Sequence, residues 1–269
     1  MRSILLHVQD DRCLEARFQV ALDLARAMEG HVSCLQASTY EFAVSWDIYA
    51  TTAVQLVPEI RAAAEKLQSD MEARLEKEDV QWDWIEPEAP ARYSLTSHAN
   101  LSDVIVMGAC AEDGGKVSYS ALAADIAVHA GSPVLLVPQH CKGFVPSDPV
   151  VVAWNGSAQS SRALRAALPL LKLASTVHLV TVEDAGTELE LPVISGASYL
   201  ARHGIECEMS QIPVLKSGMR ETLFNAAKER GASCIVMGAY GHTRMREILL
   251  GGVSRSMMSD PELPLLLTH

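Results

Sequence analysis

One apolar signature occurs twice in this 269-residue chain, and that repeat limits the possible folds more than any other feature. Val104-Ile105-Val106-Met107-Gly108-Ala109 returns as Cys234-Ile235-Val236-Met237-Gly238-Ala239. Each half then closes alike, on Ser132-Pro133-Val134-Leu135-Leu136-Val137 and on Leu263-Pro264-Leu265-Leu266-Leu267-Thr268. Each also opens on an apolar run, 4–8 and 150–154, followed by polar residues and a long helical pattern. Self-similarity on this scale marks a duplicated structural unit. The expectation is two copies of one domain, 1–142 and 148–269, joined near 143–149.

Within each copy, short apolar runs alternate with amphipathic stretches, the pattern of a parallel sheet covered by helices. In the second copy the runs are 150–154, 176–182, 206–212, 233–237 and 265–268, so five strands are expected per copy. Ala163, Leu164, Ala167, Leu168 and Leu171 recur at helical spacing after Ser157, a natural N-cap, and Pro169 should interrupt that helix. Its counterpart in the first copy is 14–28, and a second helix, 56–77, is longer than its match around 192–202. The fold class is therefore α/β: two tandem doubly wound domains, each a five-stranded parallel sheet flanked by helices. Ligands of such folds sit in the crevice at the carboxyl ends of the strands. That places function after Trp154, Val182 and Met237, and in the first copy after Val8, Ala37 and Met107.

Composition narrows the partners. Lys and Arg number 22 against 33 Asp and Glu, a formal charge of −11, and no basic run is present to track a phosphodiester backbone. Nucleic acid is not an expected partner. At 49% hydrophobic the chain has too much apolar content for disorder. Its start lacks the h-region of a signal peptide, and its apolar stretches fall short of the roughly 20 residues that span a bilayer. The expectation is a soluble cytoplasmic protein without membrane contact. The six cysteines form no C-x-x-C pair and have no histidine at metal spacing, so neither a zinc site nor a disulfide is expected. Cys34 and Cys234, within apolar runs, read as small buried hydrophobes.

After Met237 comes the loop Gly238-Ala239-Tyr240-Gly241-His242-Thr243-Arg244-Met245-Arg246-Glu247-Ile248-Leu249-Leu250-Gly251-Gly252-Val253-Ser254, spaced G-x2-G-x9-G-G-x-S. Glycines permit close approach of backbone amides, and a helix starting near Gly251 aims its free N–H groups and positive dipole end at an anion. Ser254 adds a hydroxyl on the first helical turn, and His242, Arg244 and Arg246 offset the repulsion of an acidic protein. The alternative for these residues is ordinary: turn glycines, an exposed histidine, and arginines paired with Glu247. Asp125 and His129, one helical turn apart, read as a local pair. Trp154 reads either as a core cap or as a wall for a base. The chain has no G-x4-G-K-[ST] loop, no H-E-x-x-H, and no complete nucleophile elbow at 252–256.

This loop and its flanking strand, taken with the repeat, resemble the universal stress protein family, in which a G-x2-G-x9-G-[ST] loop binds ATP phosphates. The resemblance covers both copies and implies a tandem member. It implies that Gly238, Gly241, His242, Gly251, Gly252, Val253 and Ser254 lie along the phosphates. Ala153, Trp154 and Asn155, with Val182 and Met237, would hold adenine and ribose. The cofactor implied is ATP with Mg²⁺. Two positions depart from the family pattern: Asn155 replaces an acid, and Gly252 stands where Ser or Thr is usual, a loss of about 0.5–1.5 kcal/mol for a neutral hydrogen bond. In the first copy Ala111 replaces the second glycine, and Glu112 and Asp113 put negative charge where phosphate would lie, so no triphosphate is expected there. The function implied is an ATP-binding regulatory protein of the stress-response type and not an enzyme. The alternatives are a slow ATPase or phosphotransferase using the same pocket, and a nucleotide-free dimeric scaffold. The edges left by 134–137 and 265–268 need cover, and the resemblance implies that they meet in an intramolecular pseudo-dimer that leaves room for a homodimer.

Overall fold

The computed structural model describes residues 1–36, 50–87, 89–111, 118–183, 191–239 and 252–269, with the backbone alone at 50–57, 111, 118 and 119. The first half runs β1 (Ser3–Val8), α1 (Leu14–Met28), β2 (His31–Gln36), α2 (Ala50–Leu75), β3 (Gln81–Ile85), α3 (Ala91–Ala99) and β4 (Val104–Gly108). A short hairpin of β5 (Cys110–Ala111) and β6 (Ser118–Tyr119) follows, then α4 (Ala121–His129) and β7 (Val134–Val137). The second half repeats the order as β8 (Val150–Ala153), α5 (Ala158–Ala166), α6 (Leu168–Leu171), β9 (Val177–Glu183), α7 (Val193–Arg202) and β10 (Cys207–Pro213). It ends with α8 (Met219–Glu229), β11 (Cys234–Gly238), α9 (Gly252–Ser259) and β12 (Leu265–Thr268).

The strands make one sheet in the order β10-β9-β8-β11-β12-β7-β4-β1-β2-β3. Every neighbouring pair is parallel except β12 and β7, which run antiparallel with Leu266 opposite Leu135. Two five-stranded parallel sheets thus share their last strands as a seam. The apolar edges at 134–137 and 265–268 cover each other.

Central strands are apolar without alternation because both faces are covered. Ile4, Leu6 and Val8 face one core, and Leu5, Ile105 and Met107 face the other. The edge strands β3 and β10 are instead a mixture of exposed and half-buried residues, with none fully buried. Local signals act where the sequence puts them. The Ser157 hydroxyl accepts the Ser160 N–H at 3.2 Å and starts α5. The helical run then breaks at Ala167, two residues before Pro169, into α5 and α6. The segment between the halves is anchored: Phe144 is buried and its N–H donates to Asp23 Oδ2 at 2.8 Å. Among the described residues, no helix is long and apolar enough to cross a membrane.

Strand order reverses at β1, which lies between β2 and β4, and at β8, which lies between β9 and β11. Each half therefore has one crevice at the carboxyl end of its sheet.

Candidate functional site

In the second half, β8 and β11 pair through Val152 and Val236 and then part. The first turn of α5 enters over the gap. It comes so close that a side chain on Gly238 would lie 2.6 Å from Gln159 C and 2.7 Å from Ser160 N. Only a glycine fits there, whatever else binds nearby. The N-terminus of α5 is already satisfied: Asn155 Oδ1 accepts from Ser157 N–H at 3.2 Å and from Ser157 Oγ at 2.7 Å, and Ser157 caps Ser160. Gly156 takes φ +72, and the Leu191 backbone lies where a side chain would project. Asn155 is exposed at the end of β8, with its carboxamide oxygen engaged by Ser157.

The helix that opens toward the crevice is α9. Met257 and Met258 bury its inner side against Leu223 and Phe224 of α8. Its far end is tied down by Arg220, which donates to the Asp260 carbonyl at 2.5 Å, lies 3.5 Å from Glu262 Oε1, and stacks on Phe224 at 4.9 Å. At its near end Gly252 is exposed, a side chain there would meet no described residue within 4 Å, and Val253 is exposed beside it. First-turn amides of a helix have no partner within the helix, and this end carries the positive end of the helix dipole.

The structure brings several of the expected residues together and separates one. Ala153, Val182 and Met237 face the same side of the sheet as α9, in the core shared with Met257 and Met258. Ser254 is buried on the first turn of that helix. Trp154 points to the opposite side. Its ring is buried, 4% exposed, and a side chain on Gly196 of α7 would lie 3.2 Å from it. Trp154 Nε1 and Thr181 Oγ1, on adjacent positions of neighbouring strands, are buried with no hydrogen-bond partner among the described residues. Gly241, His242, Arg244, Arg246 and Gly251 lie outside the described residues, as do Ala37, Glu112 and Asp113.

The end of the first-half sheet differs in its side chains. Ile4 pairs with Val104 as Val150 pairs with Cys234, which puts Arg17 of α1 where α5 has Ala163. The Arg17 guanidinium is fully buried, donates from Nη1 to Asp11 Oδ1 and Oδ2 at 2.7 and 2.8 Å, and donates from Nη2 to the Gln9 carbonyl. Burial pulls it below the ordinary arginine range, while the charges of Asp11 and Asp10 pull it back. Beside it Cys13 and Cys110 form a disulfide with Cα atoms 6.1 Å apart. The expectation of no disulfide is therefore corrected. The two cysteines are distant in sequence, but Cys13 follows the end of β1 and Cys110 follows the end of β4, and adjacent strands bring those ends together. Arg17 and Asp11 were missed as well. Their signal was an arginine on the otherwise apolar face of 14–28, matched by an alanine in the other copy.

Other readings hold at the level of contacts. Cys34 and Cys234 are fully buried in the core. His129 Nδ1 lies 3.1 Å from Asp125 Oδ1, and Arg92 pairs with the same carboxylate.

Residues 146–269 match the model of the universal stress protein family. The second half is thus similar in sequence to that family. A universal stress protein of Synechocystis is 25% identical over 170 residues, 61% of this chain and 57% of that relative. The match thus spans little more than half of that curated relative's length. A universal stress protein from Archaeoglobus fulgidus has the same fold from end to end, with a TM-score of 0.74 at 16% identity, covering 98% of this chain and 97% of that one. A functionally unknown protein from Pseudomonas aeruginosa follows at a TM-score of 0.58 and 16% identity, over 100% and 92% of the two chains. The two halves share one architecture, and at the carboxyl end of the sheet the first half has the buried Arg17 where the second has Ala163.

Proposed function

We propose that the second half binds ATP and that the protein is a cytoplasmic, nucleotide-binding regulator of the universal stress type, not an enzyme. The observation that carries this reading is the contrast between two copies of one crevice. Where the first copy has the buried Arg17 and the Cys13–Cys110 bond, the second has Ala163 and an exposed Asn155, and a side chain at Gly252 would meet no described residue within 4 Å. The amides opening α9 take the phosphates, while Ala153, Val182 and Met237 offer apolar contact to the base. Asn155 has no charge to give a metal, and its carboxamide oxygen is held by Ser157, so Mg²⁺ would be held through the phosphates themselves.

The test is calorimetric titration of the full chain with MgATP, repeated with Gly252→Asp. That substitution meets no described residue, and a carboxylate at a helix N-terminus favours the fold. Affinity should fall at least about tenfold, roughly 1.4 kcal/mol, with unchanged thermal stability. No heat from the wild type at millimolar ATP, or equal affinity in the variant, rejects the reading.

A further inference from the structure

The Cys13–Cys110 bond lies where the first half would otherwise have its ligand crevice, and its surroundings favour chemistry over permanence. Cys13 is fully buried at the N-cap of the 15-residue helix α1, with its N–H donated to Asp11 Oδ1 at 2.7 Å. Arg17 Nη1 and Cys13 Sγ lie 2.7 and 3.4 Å from the point where a Gly108 side chain would begin. The helix N-terminus and the nearby Arg17 guanidinium, itself paired with Asp11, put positive potential beside this sulfur, which favours it as the leaving group. Cys110 is the half-buried partner. An attacking thiolate therefore reaches Cys110 and expels Cys13.

Cys110 also begins β5, paired with Tyr119 of β6, and β6 runs beside α9 of the other half. The bond thus ties the hairpin to α1 at one side while the hairpin rests on α9 at the other. We propose that Cys13 and Cys110 are a thiol–disulfide exchange site for a low-molecular-weight thiol, and that their bond holds the β5–β6 hairpin against α9, setting the readiness of that helix for nucleotide. The last clause rests on the function proposed above. In the reductive step a thiolate RS⁻ attacks Cys110 Sγ, the S–S bond breaks, and its electron pair leaves on Cys13 Sγ as a thiolate. A second RS⁻ then attacks the sulfur of the R group, releasing RSSR and the Cys110 thiolate. Two electrons pass from two RSH to the protein, and RSSR returns them in the reverse step. In a reducing compartment, persistent bonds are rare and exchanging ones are the usual kind.

The experiment equilibrates the full chain in buffers of graded reduced and oxidised glutathione, traps thiols by alkylation, and follows amide exchange over 253–259 by mass spectrometry. Cys13 and Cys110 should reduce together in one two-electron transition. Exchange in α9 should then quicken by about fivefold or more while α8 is unchanged, as expected of local loosening. Cys110→Ser should reproduce the reduced state, and if that variant does not fold, dithiothreitol-reduced wild type supplies the comparison. A bond that resists excess dithiothreitol in the folded protein, or α9 exchange indifferent to reduction, overturns the proposal. MgATP affinity should differ between the two redox forms by about fivefold, a coupling of ordinary size, and equal affinity overturns the coupling. A protein that binds ATP in neither form, yet shows the α9 response, loses the proposed function and keeps the exchange site.

Discussion

Arg17 holds Asp11 through a single nitrogen, Nη1 lying 2.7 and 2.8 Å from the two carboxylate oxygens, with the guanidinium wholly withdrawn from solvent. A charge so placed is tolerable only while its partner stands beside it. Asp11→Ala should therefore cost about 3–5 kcal/mol, and adding Arg17→Leu to it should recover most of the loss. Urea unfolding of the three variants measures both steps. A single variant within about 1 kcal/mol of wild type would mean that water reaches the guanidinium.

The two described glycines of the second-half loop answer to different constraints, so one substitution should have opposite effects on them. Gly238→Ala drives a methyl against Gln159 C and Ser160 N, both backbone atoms at under 3 Å, and should destabilise by about 1–3 kcal/mol. Gly252→Ala meets no described residue within 4 Å at the start of α9 and should be neutral or stabilise by up to about 1 kcal/mol. Thermal unfolding of the pair decides it. Equal losses would show that the opening of α9 is as tightly enclosed as the end of β11.

The architecture was legible because its causes are local and repeated. The run 150–154 cannot be half-solvated, Ser157 can cap only the helix after it, and Pro169 interrupts that helix at Ala167. The seam between Leu135 and Leu266 followed from two apolar edges that could not face water. What escaped reading was what depends on which side chain turns inward at a strand end. Trp154 and Ala153 are consecutive, so they face opposite sides of the sheet, and only packing shows that the indole goes beneath α7. Cys13 and Cys110 escaped for a different reason. Spacing rules for cysteines look along the chain, whereas these two meet because β1 and β4 are neighbours in the sheet. Their adjacency was implicit in the strand order that placed Val8 and Met107 at one crevice.

The buried thiols give a pH dependence with a definite sign. Burial pushes Cys34 from 9.0 up to about 12, helped by the charges of Asp83 and Glu72, and burial pushes Cys234 to about 12 against a hydrogen bond from Leu266. In the unfolded chain both ionise near 9, so between pH 9 and 12 the unfolded state releases protons that the folded state keeps. Stability from this source is complete below pH 9 and falls as pH rises, by about 1.4 kcal/mol per pH unit for each thiol. Denaturant midpoints measured across that range should decline, and replacing both cysteines by valine should flatten the decline. Alkylation gives a second check. In the folded protein at pH 8.5, iodoacetamide should modify the half-buried Cys141 and Cys207 but leave Cys34 and Cys234 untouched until urea is added. Labelling of Cys234 at the rate of a free thiol would mean that the strand beneath α5 opens to solvent, and the alkaline slope would then vanish with it.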